Sequence, residues 1–426
     1  MNYPLLEVNH LSAYIHDTRM RKFVRMVDDV SFAVESGKVL GIFGESGCGK
    51  TRTAYCIMGL MPDSPGIIDG EIWLTTGGGE SGCRKPVKPP PTPPRGGKEG
   101  VGELTTAFKG RENLLQGLDA CVNRKPKGEK LVIKKKITKW QQKYEKKMSA
   151  LRGKTIGLIS QGAKSALWPF DTIRNQVEES YRTSGLDEHQ ASGAAAWLLD
   201  ELQLIDWADA YPHTLSGGTC QRAITAVVLA LNPVLLIADE PTTGLDPPLQ
   251  VKIIELLKQF VNGKLQFSQP RNEQALIIIS HDIKVMAELA DTLIVMYAGR
   301  VVESGDCSIL LGNSARHPYT QMMKSIAQLN VHKSELTPQT LVDLGIVPTM
   351  LNLPPGCKFH PRCAKRMDKC KTDEPILEEL TANPTVSQPR SDARSHPEHR
   401  EESRNGISLE KALVAPRKVR CYVSTE

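Results

Sequence analysis

No part of this chain stays apolar for long. Its longest such runs, for example "AITAVVLALNPVLLIADE", meet proline, asparagine or charge before eighteen residues accumulate, so none reads as a membrane span. The N-terminal "MNYPLLEVNH" has neither the basic flank nor the apolar region of a secretion signal. Internal repeats and heptads are lacking as well. The ten cysteines are scattered singly through strands and loops, which does not suit a disulfide framework in a chain of 426 residues. The expected compartment is the cytoplasm, where grouped cysteines more often bind metal.

What is present is enough for two or three domains and a large core, since 40% of the residues are hydrophobic. The charge is uneven. Residues 79–150 hold 18 Lys/Arg against 7 Asp/Glu, a larger surplus than the whole chain's +6, so the basicity is a property of one segment. That segment is first Gly/Pro-rich and then Lys-rich, and it reads as an insertion. It is either a solvated loop ending in a short charged helix or a docking surface for acidic lipid or another subunit. Around it, residues 1–78 alternate strand-like runs with one helical segment. Residues 151–325 alternate buried strands ("KTIGLIS", "VLLIADE", "ALIIIS", "TLIVMYAGRVVESG") with helical stretches, and 162–231 form a helical block. This order predicts an α/β fold with a mostly parallel sheet. Residues 326–426 form an extension of weak periodicity.

"GIFGESGCGKT" follows a strand and opens a helix, the context that a phosphate-binding loop requires. The cradle is assigned to Gly44, Glu45, Ser46, Gly47, Cys48, Gly49, Lys50 and Thr51, with Arg52 next in the helix. Backbone N–H groups and the helix N-terminus face phosphate oxygens. Lys50 neutralises the β/γ-phosphates, and the Thr51 hydroxyl holds Mg²⁺. "LLIADE" then delivers Asp239 and Glu240 to the carboxyl end of a buried strand, where open α/β sheets bind ligands. Asp239 is assigned to the metal and Glu240 to the attacking water as general base. Alone, such an acidic pair is more often a helix cap; the loop upstream favours catalysis. Gln161 and His281 end two other apolar strands and can reach the same crevice, although His281-Asp282 also reads as a helix cap.

"LSGGTCQR" adds a second anion-binding helix start at Ser216, Gly217 and Gly218. The chain's own phosphate loop already encloses one nucleotide. The second turn therefore points to a nucleotide held by another copy or a paralogue, in a twofold pairing that completes two sites.

In order and approximate spacing, "GESGCGKT", Gln161, "LSGGTCQR", "LLIADEPTTGLD" and "SHD" resemble the ATP-binding cassette family over nearly all of residues 1–325. The resemblance implies a P-loop ATPase with a RecA-like parallel core, an antiparallel β subdomain and a helical subdomain. In it Ser216, Gly217 and Gly218 face the opposing ATP, and Gly244, Leu245 and Asp246 link the two sites. The Gln161 region contacts a membrane permease, and Gln161 joins Thr51 and Asp239 at Mg²⁺. An aromatic stacking on adenine is expected near residue 15, where Ile15 stands; Tyr14 is assigned, with Phe23 further on. "HPYTQMMKSI" and "PPGCKFHPRC" narrow the likeness to ATPase subunits of oligopeptide, dipeptide or nickel importers. The chain departs from that pattern in its basic insertion, in "SQGAKSALWPF" and at Thr219-Cys220.

Cys357, Cys363 and Cys370, with Cys421 as a fourth, suit an iron-sulfur cluster or Zn²⁺ equally on local sequence. The resemblance favours a [4Fe-4S] cluster that folds a core-poor tail over Zn²⁺ or no metal at all, with His360 at the surface. The implied protein hydrolyses ATP at the cytoplasmic face of the cell membrane. Its partners are a second ATPase subunit, two permease subunits and a substrate-binding protein, with no nucleic acid. A soluble cassette ATPase acting on nucleic acid or ribosomes is the alternative, supported only by the basic insertion. A degenerate nucleotide binder is disfavoured by Lys50, Asp239, Glu240 and His281.

Overall fold

Strand β3 (Val39–Phe43) is apolar at every position except Gly41, and all five residues are buried. Such a run belongs in a sheet covered on both faces. In the computed structural model, which describes residues 4–17, 22–61, 66–75, 148–267, 274–312, 314–329, 347–379 and 417–422, β3 lies inside a mixed sheet. Its parallel members are β5 (Ile156–Ile159), β6 (Leu235–Asp239), β7 (Ala275–Ser280) and β8 (Thr292–Tyr297), in the order β8-β3-β7-β6-β5. The parallel core expected from sequence is thus present. Most of insertion 79–150 lies outside the described residues.

Side chains alternate between two cores along these strands. Leu40, Ile42, Leu235, Ile237, Ile277 and Ile279 face a second, antiparallel sheet and helix α1 (Lys50–Met58). That sheet joins β1 (Leu6–Asp17), β2 (Lys22–Val34) and β4 (Gly66–Leu74) in the order β2-β1-β4. Phe43, Leu236, Ala238, Leu276 and Ile278 share the other core with the helical block. Its helices are α2 (Ile173–Ser184), α3 (Glu188–Glu201) and α4 (Gly217–Ala230). Each begins with a side-chain cap, Thr172, Asp187 and Ser216 respectively, and Asp187 forms a full capping box with Gln190. Helices α5 (Pro247–Val261) and α6 (Ile283–Leu289) fill the crossovers from β6 to β7 and from β7 to β8.

One strand-like run resolves differently from its reading. "TLIVMYAGRVVESG" is a hairpin: β8 turns at Ala298 and Gly299, both at positive φ (49° and 81°), into antiparallel β9 (Arg300–Asp306). Two positive φ values match the twist of a tight hairpin turn. The tail then extends this edge, because β11 (Lys418–Val419) pairs with β9, and β10 (Glu378–Glu379) pairs with β11.

The tail also borrows the core of the cassette. Following α7 (Cys307–Leu311) and α8 (Pro318–Leu329), Phe359 packs against Tyr297 and Tyr319 at 5.3 and 5.4 Å between ring centroids. Arg300 reaches Glu374 at 2.7 Å, and the Arg420 N–H donates to Val302 at 2.8 Å. Among the described residues, no helix is long and apolar enough to cross a membrane.

Candidate active site

The order of the sheet fixes where chemistry can occur. β3 has β7 on one side and β8 on the other, so the connections diverge at its carboxyl end and leave a crevice there. The phosphate loop emerges into this crevice. Gly49 caps α1 at φ 108°, and a Cβ on it would stand 2.5 Å from the Met26 carbonyl oxygen, so only glycine fits. Lys50, 6% exposed, follows it; its Nζ donates to the Gly44 and Glu45 carbonyls at 2.7 and 3.0 Å. Those neutral acceptors hold an ammonium that phosphate oxygens bind more strongly. Ser46 and Gly47 are exposed, whereas Cys48 is buried and its thiol is pushed up by that burial. Arg52 lies over the Tyr55 ring of its own helix at 5.7 Å.

Asp239 ends β6 with 1% exposure, and neither carboxylate oxygen has a hydrogen-bond partner. Burial raises its carboxyl above the usual range, while the Thr51 hydroxyl and the Lys50 ammonium act in the opposite direction. A buried, unpaired carboxylate is costly. A cation beside Thr51 removes that cost, and the donor set of one hydroxyl and one carboxylate fits Mg²⁺, which keeps its remaining positions for water and phosphate.

Glu240 follows at φ 53°, a left-handed conformation that few side chains adopt without support. The support is visible. Its N–H donates to Ile279 O at 2.9 Å, Oε2 accepts from the Thr243 hydroxyl at 3.0 Å, and Oε1 lies 2.7 Å from His281 Nδ1. The carboxylate is therefore oriented from both sides, while the His281 side chain remains 58% exposed. Asp282 is the helix cap, accepting from Lys284 N at 2.8 Å. Both readings of "HD" thus have a residue: the histidine meets the glutamate and the aspartate starts α6.

Ser216 and Gly217 are exposed at the start of α4, where Ser216 Oγ accepts from Thr219 N at 3.2 Å. Gly218 fits closely against the loop at Gly244 and Leu245, since a Cβ there would lie 3.2 Å from Gly244 O and 3.5 Å from Leu245 Cδ2. Asp246 is exposed and precedes α5, with Pro247 at that helix's first position. Gln161 is exposed beyond β5, and the aromatic pair Trp168 and Phe170 follows it, 63% and 79% exposed. Tyr14 is the assignment that fits least well. It is 7% exposed with the Arg25 guanidinium 5.2 Å from its ring centroid, so its ring is not an open platform for a base. Phe23 lies in β2, and its side chain lies outside the described residues.

The tail cysteines converge. Cys357 N donates to Cys370 O at 2.9 Å, and Gly356 (φ 60°) allows this approach because a Cβ on it would stand 2.5 Å from the same oxygen. Burial raises the Cys357 thiol to about 11, with Cys370, Cys421 and Cys363 near enough to add to it. All four are free thiols. Among the described residues, no three His, Cys, Asp or Glu are disposed to hold a metal, so the donors are of the right kind without the arrangement of a cluster. His360 is half-buried, its Nδ1 2.8 Å from Cys357 O.

Comparisons with known proteins show the family of the chain. The model of the ABC transporter family matches residues 27–82 and 121–243, and that of the oligopeptide/dipeptide transporter C-terminal region matches 302–370. Over 381 residues the chain is 32% identical to the dipeptide transport ATP-binding protein DppD of Escherichia coli (strain K12), covering 88% of this chain and 93% of the relative. The chain belongs to the ABC transporter ATPases of the oligopeptide/dipeptide type. The oligopeptide transport ATP-binding protein AppD of Bacillus subtilis (strain 168) is 33% identical, with 88% and 92% covered. A solved dimeric bacterial ABC cassette, MJ0796, is 19% identical at a TM-score of 0.47, covering 71% of this chain and 98% of that one. This ABC ATPase hydrolyses ATP. The second family match runs from Val302 in β9 to Cys370, and so takes in Cys357, Cys363 and Cys370 but not Cys421.

Sequence reading did not find the groups that hold this site. Thr243 on Glu240, Tyr319 on Glu45 and Arg362 on Glu45 are all contacts of the loop or of Glu240. "HPYTQ" and "KFHPRC" marked the relevant stretches, but nothing in them indicates a partner some 300 residues away.

Proposed function

We propose that this ABC ATPase powers import of peptides through separate membrane permeases, with a second cassette closing each ATP site. The observation that carries the catalytic part is Glu240 held between Thr243 and His281, beside the unpartnered Asp239 and the Lys50 loop. Lys50, Thr51 and the loop N–H groups would bind the triphosphate, and Asp239, Thr51 and Gln161 would hold Mg²⁺. When bound there, the metal would supply neutralisation of the triphosphate's charge. Glu240 takes the proton of the attacking water, and His281 holds the carboxylate toward it. Ser216, Gly217 and Gly218 of a partner cassette cover the γ-phosphate from the opposite side, and Asp246 lies in the loop between the two sites. The exposed Gln161, Trp168 and Phe170 supply a surface for a permease at the cytoplasmic face of the membrane. Peptide as cargo is supported by the names of the two relatives. The tail cysteines are free thiols of the right kind for a [4Fe-4S] cluster or Zn²⁺ but are not disposed as ligands among the described residues, so no step is assigned to them; iron and zinc analysis after anaerobic purification decides between a cluster, zinc and no metal.

Replacing Glu240 with Gln tests the catalytic reading. ATP binding is retained and turnover falls at least about 100-fold. Cells carrying the variant lose uptake of labelled di- and oligopeptides. Unchanged hydrolysis removes Glu240 as the base, and unchanged peptide uptake with hydrolysis lost removes peptide as the cargo.

A further inference from the structure

A loop that binds phosphate is a poor place for a carboxylate, yet Glu45 is the second residue of this one. Its charge is met from the far end of the chain. Arg362 lies in a single turn, His360–Arg362, between Cys357 and Cys363, and its side chain is 3% exposed. Its Nη1 and Nη2 donate to Glu45 Oε2 and Oε1 at 2.6 and 2.9 Å, a bidentate pair. The guanidinium is fixed in turn, 5.8 Å from the centroids of both Tyr297 and Phe359.

The rest of Glu45 is held just as firmly. Its N–H donates to the Tyr319 hydroxyl at 2.8 Å, and its carbonyl accepts from Lys50 Nζ at 3.0 Å. One residue therefore joins the cysteine segment, helix α8 and the phosphate lysine. Without Arg362, a half-buried anion would stand in the loop and oppose an incoming triphosphate.

We propose that Arg362 is a positioning residue for the phosphate loop: from the cysteine segment it clamps and neutralises Glu45, so that the C-terminal region sets the affinity of the ATP site. This rests on the ATPase reading above. A change that moves the turn between Cys357 and Cys363 moves Arg362 with it, and its effect arrives at the nucleotide rather than at the base.

The test uses the full chain, MgATP titration calorimetry and steady-state hydrolysis. Lys50→Ala abolishes ATP binding and so fixes the nucleotide site independently of Arg362. Arg362→Ala raises the Kd and KM for ATP about tenfold with kcat nearly unchanged, and Arg362→Lys, which keeps charge but not the fork, shows a smaller rise. Adding Glu45→Gln to Arg362→Ala returns the affinity to within about threefold of wild type, because the orphaned charge is gone. A role in folding alone would not be rescued by removing that charge. Unchanged affinity in Arg362→Ala, or a double variant that melts like the wild type without regaining affinity, overturns the proposal. If Arg362→Ala does not fold, Arg362→Lys with and without Glu45→Gln gives the same comparison, and the same two outcomes overturn the proposal.

Discussion

Asp239 concentrates at one residue the tension between stability and function. Its carboxylate is buried and unpartnered, and burial raises its carboxyl above the ordinary range. A raised carboxyl means that the folded chain holds its proton to higher pH than the unfolded chain does. The penalty is therefore absent in acid, grows as pH rises through the ordinary carboxylate range, and is complete above the raised folded value. Asp239→Asn removes the charge at nearly constant volume. The nucleotide-free variant should be more stable than wild type at pH 7 by about 1–2 kcal/mol, with the difference shrinking toward pH 4. Thermal melts at several pH values check this, and Mg²⁺-dependent ATP binding should be lost in the same variant. Asp239 and Glu240 were legible in the sequence because the phosphate loop upstream turns an acidic pair that ends an apolar strand from a helix cap into a candidate site. Arg362 was not, since a salt bridge over 317 positions leaves no local periodicity or spacing to read.

At the scale of elements, the long strands and helices could be read because each repeats one burial pattern for several turns or pairs. The tail could not. β10 and β11 are two residues each and owe their pairing to the edge that β9 offers, and the β8-β9 turn uses Ala298 at a φ that alanine seldom adopts. The start of α8 shows a similar dependence on surroundings. His317 Nδ1 accepts from Tyr319 N at 3.1 Å, and the backbone N–H of His317 itself donates to Glu303. Burial, with the charge of Arg420 adding to it, lowers the His317 ring to about 3. Only the neutral ring can accept, so the unfolded chain takes up a proton that the folded chain refuses. Stability from this position is complete above about pH 6.5 and is lost as pH falls toward 3, at up to about 1.4 kcal/mol per pH unit. His317→Asn retains an acceptor and does not titrate. Its denaturation curves should depend less steeply on pH between 6.5 and 4 than those of wild type, and parallel curves would show that His317 is not the titrating group.

At the scale of the whole molecule, the described residues present two helix starts suited to anions, at α1 and α4, and of these the α1 start carries the lysine, the hydroxyl and the carboxylates. α4 begins with the exposed residues Ser216 and Gly217, and Ser216 Oγ caps Thr219 N, which leaves the outward N–H groups for a ligand from outside the chain. Gly217 offers a clean probe, because a Cβ there meets nothing within 4 Å. An aspartate at this position favours the helix locally, as negative charge does at an N-terminus, while repelling a phosphate that approaches the same groups. Gly217→Asp should therefore fold at least as stably as wild type and bind ATP with unchanged affinity as an isolated chain. Its hydrolysis should nevertheless fall about 100-fold, and introducing it into Glu240→Gln should abolish the ATP-dependent dimer that the latter forms on size exclusion. If Gly217→Asp instead weakened ATP binding by the monomer, the α4 turn would belong to the chain's own pocket, and a single cassette would suffice for catalysis.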